Sequence, residues 1–105
     1  MLIESQFYTY GEQPTDRLQL HDGTLFGPVT IAYETYGTLN ASRSNAILLF
    51  HALSGSQHAA GINPAVEGTA DRWTEECQTG WGEEFIGSGK MLDTDQYFVI
   101  CCNYF

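Results

Sequence analysis

The residues best placed to do chemistry are His51, Leu53, Ser54, Gly55 and Ser56, in the stretch Ala46-Ile47-Leu48-Leu49-Phe50-His51-Ala52-Leu53-Ser54-Gly55-Ser56. A short apolar run that empties into a histidine and small residues has the pattern of a buried strand leading into a loop. Ligands of α/β sheets sit outside the carboxyl ends of the strands, where such a loop lies. Acyl transfer needs backbone N–H donors fixed where a tetrahedral oxyanion develops. Ser54, Gly55 and Ser56 let a backbone approach a ligand closely, Leu53 offers an amide and a side chain able to wall a pocket, and His51 shapes the strand end. The same residues also fit a plainer reading, a histidine capping a strand before a flexible turn, and the pattern alone leaves both open.

Other candidates are weaker. His51 and His58 have no partner carboxylate at a diagnostic spacing, and His58 fits either a pocket wall or the surface. Ser54, Ser56 and Ser88 lack the strand-to-helix setting that holds a nucleophilic serine on a strained turn. Adjacent carboxylates such as Glu75-Glu76 and Glu83-Glu84 point about a third of a turn apart on a helix and do not converge, so they read as a solvated acidic face. Trp73 and Trp81 suit a pocket entrance or half-buried anchors. Cys77, Cys101 and Cys102 are an odd number without metal-ligand spacing, so neither a disulfide framework nor a metal site is expected.

The elements that must position the loop come from period-two patterning. Leu18 and Leu20 alternate with polar neighbours on one side of His21-Asp22-Gly23-Thr24, and Val29, Ile31, Tyr33 and Thr35 alternate with Thr30, Ala32, Glu34 and Tyr36 on the other. These predict an antiparallel hairpin opening a larger mixed sheet. The strand Ala46 to Phe50 is expected inside that sheet with both faces covered, third in the chain. Residues 56 to 71 predict a long excursion with little regular structure, continued by short helical turns interrupted at Gly80 and Gly82. Tyr97 to Cys102 predicts the last strand, and the apolar run on to Phe105 reads as the front part of a longer protein. The fold class is α/β, with residues 1–105 forming one partial domain.

Composition excludes several roles. Thirteen acidic residues against four basic ones give a formal charge of −9, which repels phosphate backbones and anionic membrane surfaces. No stretch has signal-peptide character or the length to span a bilayer, so a soluble cytoplasmic protein is expected.

Several blocks together resemble the homoserine O-acetyltransferase family. They are Tyr33-Glu34-Thr35-Tyr36-Gly37-Thr38-Leu39-Asn40, His51 to Ser56, Gly80-Trp81-Gly82 with Ile86-Gly87-Ser88-Gly89-Lys90, and Leu92 to Cys101. The resemblance covers roughly residues 28 to 103. It implies the N-terminal part of an α/β-hydrolase fold, in which one oxyanion donor comes from the loop after the third strand. It implies transfer of an acetyl group from acetyl-CoA to the hydroxyl of L-homoserine, in methionine biosynthesis, by a ping-pong acyl-serine mechanism. Acetyl-CoA is then a co-substrate, no cofactor is permanently bound, the partners are small molecules, and the full-length protein has room to form a homodimer. The Ser, Asp and His of the triad are expected beyond Phe105, leaving no catalytic residue in this chain and an oxyanion loop of Leu53, Ser54, Gly55 and Ser56. Tyr104-Phe105 departs from the small or glycine-rich continuation that the family leads one to expect. A succinyl-transferring or serine-acylating relative, a plain hydrolase and a non-catalytic binding module are the rival readings.

Overall fold

The computed structural model describes residues 1–104, and the expected continuation of the last strand into Phe105 lies outside them. Val29-Thr-Ile-Ala-Tyr-Glu-Thr-Tyr36 is rich in β-branched and aromatic residues, which suit a pleated, half-buried surface. It forms the long strand β4 (Val29–Tyr36), after β1 (Gln6–Tyr10), β2 (Leu18–Gln19) and β3 (Leu25–Phe26). Then come β5 (Ala46–Leu49), β6 (Ile86–Gly87), β7 (Leu92–Asp93) and β8 (Phe98–Cys102). The helical turns at Pro14–Asp16, Ala70–Arg72 and Glu75–Gln78 are all 3₁₀, and no helix among the described residues is long and apolar enough to cross a membrane.

The main sheet has the order β1-β4-β8-β5, antiparallel except for the parallel pair β5 and β8, so the expected mixed sheet with an antiparallel opening is present. Its pairing differs from the expectation. β2 and β3 close a separate small hairpin, because the Asp22 carboxylate accepts the Thr24 N–H at 2.9 Å and turns the chain tightly at Gly23. Pro28 has no N–H to offer a ladder, and β4 pairs instead with β8 and with β1, the latter a strand the sequence pattern did not single out. β6 and β7 form a further short parallel pair.

One placement differs from expectation among the described residues: β5 lies at the edge of the sheet rather than inside it, paired by β8 on one side only, and Leu48 is 55% exposed. An apolar run reports burial of some face, not the strand's rank in the sheet. β8 is the interior strand, flanked by β4 and β5.

One face of the sheet is covered. Tyr36 and Glu34 of β4 oppose Val99 and Cys101 of β8, which in turn oppose Ile47 and Leu49 of β5. Residues 50–97 cross over this face, seating Ala59, Ala60 and Ile86 against Tyr36, Val99 and Cys101 as the core. The excursion is bound together by its backbone: N–H groups of Asn63, Gly80, Trp81 and Gly82 donate to carbonyls of Gln78, Gly61, His58 and Ala59. Expected third in the chain, β5 is the fifth strand, and it is third only within the main sheet, since β2 and β3 pair apart from it.

Candidate active site

The loop after β5 is short and anchored at both ends. At its start His51 is buried; its Nε2 lies 3.0 Å from the Asn103 side-chain oxygen and its Nδ1 lies 2.6 Å from the Ala52 carbonyl. Its ring stacks on Tyr104 at 4.1 Å, and the Tyr104 hydroxyl donates to the His51 carbonyl at 2.6 Å. Tyr104, the departure noted in the sequence, therefore fastens the loop to the segment after β8. With both ring nitrogens engaged, His51 holds the strand end.

Within the loop the Gly55 N–H donates to the Ala52 carbonyl at 2.9 Å, closing a turn with Leu53 and Ser54 at its tip. This turn corrects one expectation: the Leu53 side chain is 98% exposed and walls no pocket, since the tip of a tight turn points away from the body. The N–H groups of Leu53 and Ser54 meet no acceptor among the described residues. Ser54, Gly55 and Ser56 border a groove of about 400 Å³, faced by Trp73 and Trp81. Each indole is fixed, Trp73 Nε1 donating to the Asn63 carbonyl at 2.8 Å and Trp81 Nε1 to the Ser56 carbonyl at 2.9 Å. The two tryptophans combine both roles open to them in the sequence, wall and anchor.

Behind the loop lies a polar cluster the sequence reading did not assemble. Glu34 is 0% exposed, and its carboxylate accepts four hydrogen bonds. Oε1 takes them from the Ser5 hydroxyl (2.6 Å) and the Asn63 amide (2.9 Å), and Oε2 from the Tyr36 hydroxyl (2.6 Å) and His58 Nδ1 (2.8 Å). His58, 2% exposed, also donates from Nε2 to the Gln78 carbonyl at 2.8 Å. Both its nitrogens face oxygens, an arrangement that favours the charged ring beside the Glu34 carboxylate. Burial works against both charges, pushing the Glu34 carboxyl up and the imidazole down. The hydrogen bonds outweigh it: Glu34 ends below its ordinary value and His58 above its own. Burial first, and then the Glu34 bond, raises Tyr36 far above an ordinary phenol.

These geometries sort the histidines and serines. His58 is a pocket wall, not surface, with both ring nitrogens engaged by protein oxygens. Ser54 and Ser56 lie in the loop, and Ser88, between β6 and β7, donates to Asp95 at 2.5 Å. Glu75, Glu76 and Glu84 are exposed as expected, whereas half-buried Glu83 accepts the Gly61 N–H and faces Lys90 at 3.6 Å.

No family model matches the chain. Homoserine O-acetyltransferases of Citrifermentans bemidjiense and Sulfurimonas autotrophica are 54% and 47% identical to it, covering 97% and 90% of this chain but 24% and 23% of their own lengths. The crystal structure of homoserine O-acetyltransferase from Bacillus anthracis superposes with a TM-score of 0.72 at 38% identity, over 98% of this chain and 24% of that one. A crystallised esterase superposes with a TM-score of 0.72 at 32% identity, over 96% of this chain and 24% of its own. By sequence and by fold, the chain is homologous to the homoserine O-acetyltransferase family over about a quarter of its members' length, and its sheet is part of an α/β-hydrolase fold.

Proposed function

We propose that this chain supplies the first strands and the oxyanion loop of a homoserine O-acetyltransferase. In this reading residues 1–105 are part of one larger α/β-hydrolase domain, and the Ser, Asp and His of the triad come from outside them. A serine takes the acetyl group from acetyl-CoA, releasing the thiol, and passes it to the hydroxyl of L-homoserine. The charge on the carbonyl oxygen peaks in each tetrahedral intermediate, where a fixed backbone N–H contributes most. The Leu53 amide is the donor, with Ser54, Gly55 and Ser56 bordering the groove and His51 holding the strand end. The observation that carries the reading is the tip of the Ala52–Gly55 turn, whose N–H groups meet no acceptor among the described residues and whose Ser54 borders an aromatic-walled groove. The names of the relatives supply the substrates. A cytoplasmic enzyme acting on small molecules, without nucleic acid, membrane or a permanent cofactor, and dimeric when full length, completes the proposal.

The test is CoA release by the intact protein, with acetyl- or succinyl-CoA as donor and homoserine, serine or water as acceptor. Homoserine-dependent release from acetyl-CoA is expected, and release that ignores every acceptor would refute the transferase. Leu53→Pro removes the amide without breaking any hydrogen bond among the described residues. It should lower kcat by about 10²- to 10³-fold with little change in KM, the usual cost of one oxyanion donor.

The esterase neighbour favours a second reading, hydrolysis with water as acceptor. Cleavage of p-nitrophenyl acetate that homoserine neither accelerates nor diverts would support it.

A further inference from the structure

We propose that Glu34 and His58, joined by Tyr36, are positioning residues for the oxyanion loop, fixing residues 56–59 and with them the direction of the amides at the loop tip. The proposal rests on the acyl-transfer reading of that loop. Neither charged group is placed to reach a substrate's reacting atoms, since every polar atom of the pair is already engaged. What they hold is backbone. The Tyr36 hydroxyl accepts the Ala59 N–H at 2.8 Å and lies 3.2 Å from the Gln57 carbonyl. The Gln57 side chain reaches Ser5, which itself donates to Glu34, and the His58 N–H donates to the Ser56 hydroxyl at 3.2 Å. Through Gln78, His58 also reaches the second half of the excursion, where Trp81 returns to bind the Ser56 carbonyl.

The loop thus has two anchors. The front one is His51 with Asn103 and Tyr104; the rear one is the cluster on Glu34. Residues 52–55 span the interval with a single turn hydrogen bond of their own, so their course is dictated from the ends. A buried ion pair is a poor source of stability compared with well-packed apolar residues, because both charges must be desolvated. Its directional bonds nevertheless specify one arrangement, and here that arrangement belongs to the loop. An oxyanion donor displaced by a fraction of an ångström loses much of its effect.

The experiment uses the intact protein and two readouts, hydrolysis of p-nitrophenyl acetate and transfer from acetyl-CoA to homoserine. Glu34→Gln puts an amide N–H₂ where an acceptor stood or turns it toward Ser5 and Asn63, and Tyr36→Phe removes the hydroxyl that holds residues 57 and 59. Val99→Ala, in the same core but bonded to no loop residue by its side chain, is the control for lost stability. Well below each melting midpoint, Glu34→Gln should lower kcat for both reactions by about ten- to a hundredfold and Tyr36→Phe by about three- to tenfold, with KM within about twofold, the behaviour of an oxyanion donor moved off its mark. Val99→Ala should leave kcat within about twofold while lowering the melting temperature. Folded variants with unchanged kcat, or a loss matched by Val99→Ala, would overturn the proposal. If Glu34→Gln fails to fold, Tyr36→Phe decides. A wild-type protein that cleaves the ester but ignores homoserine defeats the transferase reading while the ester assay still judges the positioning pair; one that does neither defeats both.

Discussion

Glu34 shows what single residues contribute and what a sequence conceals about them. In β4 it alternates with Tyr33 and Thr35, and a glutamate in such a pattern ordinarily marks the solvent face. Here it lies on the covered face with Tyr36. Its partners Ser5, His58 and Asn63 come from distant stretches, so no local pattern announces the cluster, and His58 alone could not be assigned. The pair has a pH signature. Glu34 is depressed, so its contribution to stability is complete above the ordinary value of 4.5 and is lost as pH falls through its lowered folded value. His58 is raised, so its contribution is complete below 6.5 and is lost as pH rises through its raised folded value. The other titratable groups facing the pair are Tyr36 and Cys101, the latter held by burial, then by Cys102 and Glu34, at about 12, so both stay neutral across this range. The melting-temperature gap between wild type and Glu34→Gln in the intact protein is therefore expected to be widest between pH 4.5 and 6.5 and to narrow toward both acid and alkali. A gap that kept widening above pH 6.5 would mean that the histidine is neutral in the folded state.

At the scale of elements, the strands β4, β5 and β8 were legible because their side chains carry the signal. β1 was not, since its residues are mostly exposed and unpatterned. Residues 56–71 were expected to form an irregular excursion, continued by short helical turns, and the turns present are 3₁₀. The order of the excursion comes from backbone bonds between small residues, which composition cannot display. Gly80 makes this testable. Its amide donates to the Gly61 carbonyl at 3.0 Å, and a Cβ at this position would overlap the backbone of Ala60. Because both sides of the clash are main chain, no rotamer change relieves it. Gly80→Ala should separate the two halves of the excursion and free Trp81 from the Ser56 carbonyl. A lower melting temperature together with a red-shifted tryptophan emission is the expected result, since a Cβ would meet main chain at Ala60. An unchanged melting temperature and emission would show that packing against Ala60 is unimportant.

At the scale of the whole chain, the sheet is covered on one face only among the described residues. On the other, Leu48 and Phe50 stand exposed beside a groove of about 290 Å³ lined by Ile31, Leu49 and Tyr104. β8 has a partner on each side, whereas β5, apolar and uncharged along Ala46–Leu49, is paired on one side only among the described residues. An edge of that kind offers free N–H and C=O groups to any second strand, and its apolar face adds a gain from burial. The net charge of −9 opposes association over long range but is screened within about 8 Å at physiological salt, so the short-range apolar contact prevails as salt increases. The 105-residue chain alone should therefore self-associate, and more so with added salt. Leu48→Lys with Phe50→Lys places two charges on that edge and face without touching the core side chains Ile47 and Leu49, and should restore a monomer in light scattering. A wild-type chain that stays monomeric at high salt, or a lysine variant that associates just as strongly, would locate the hazard elsewhere, with β1 at the opposite edge as the next strand to charge.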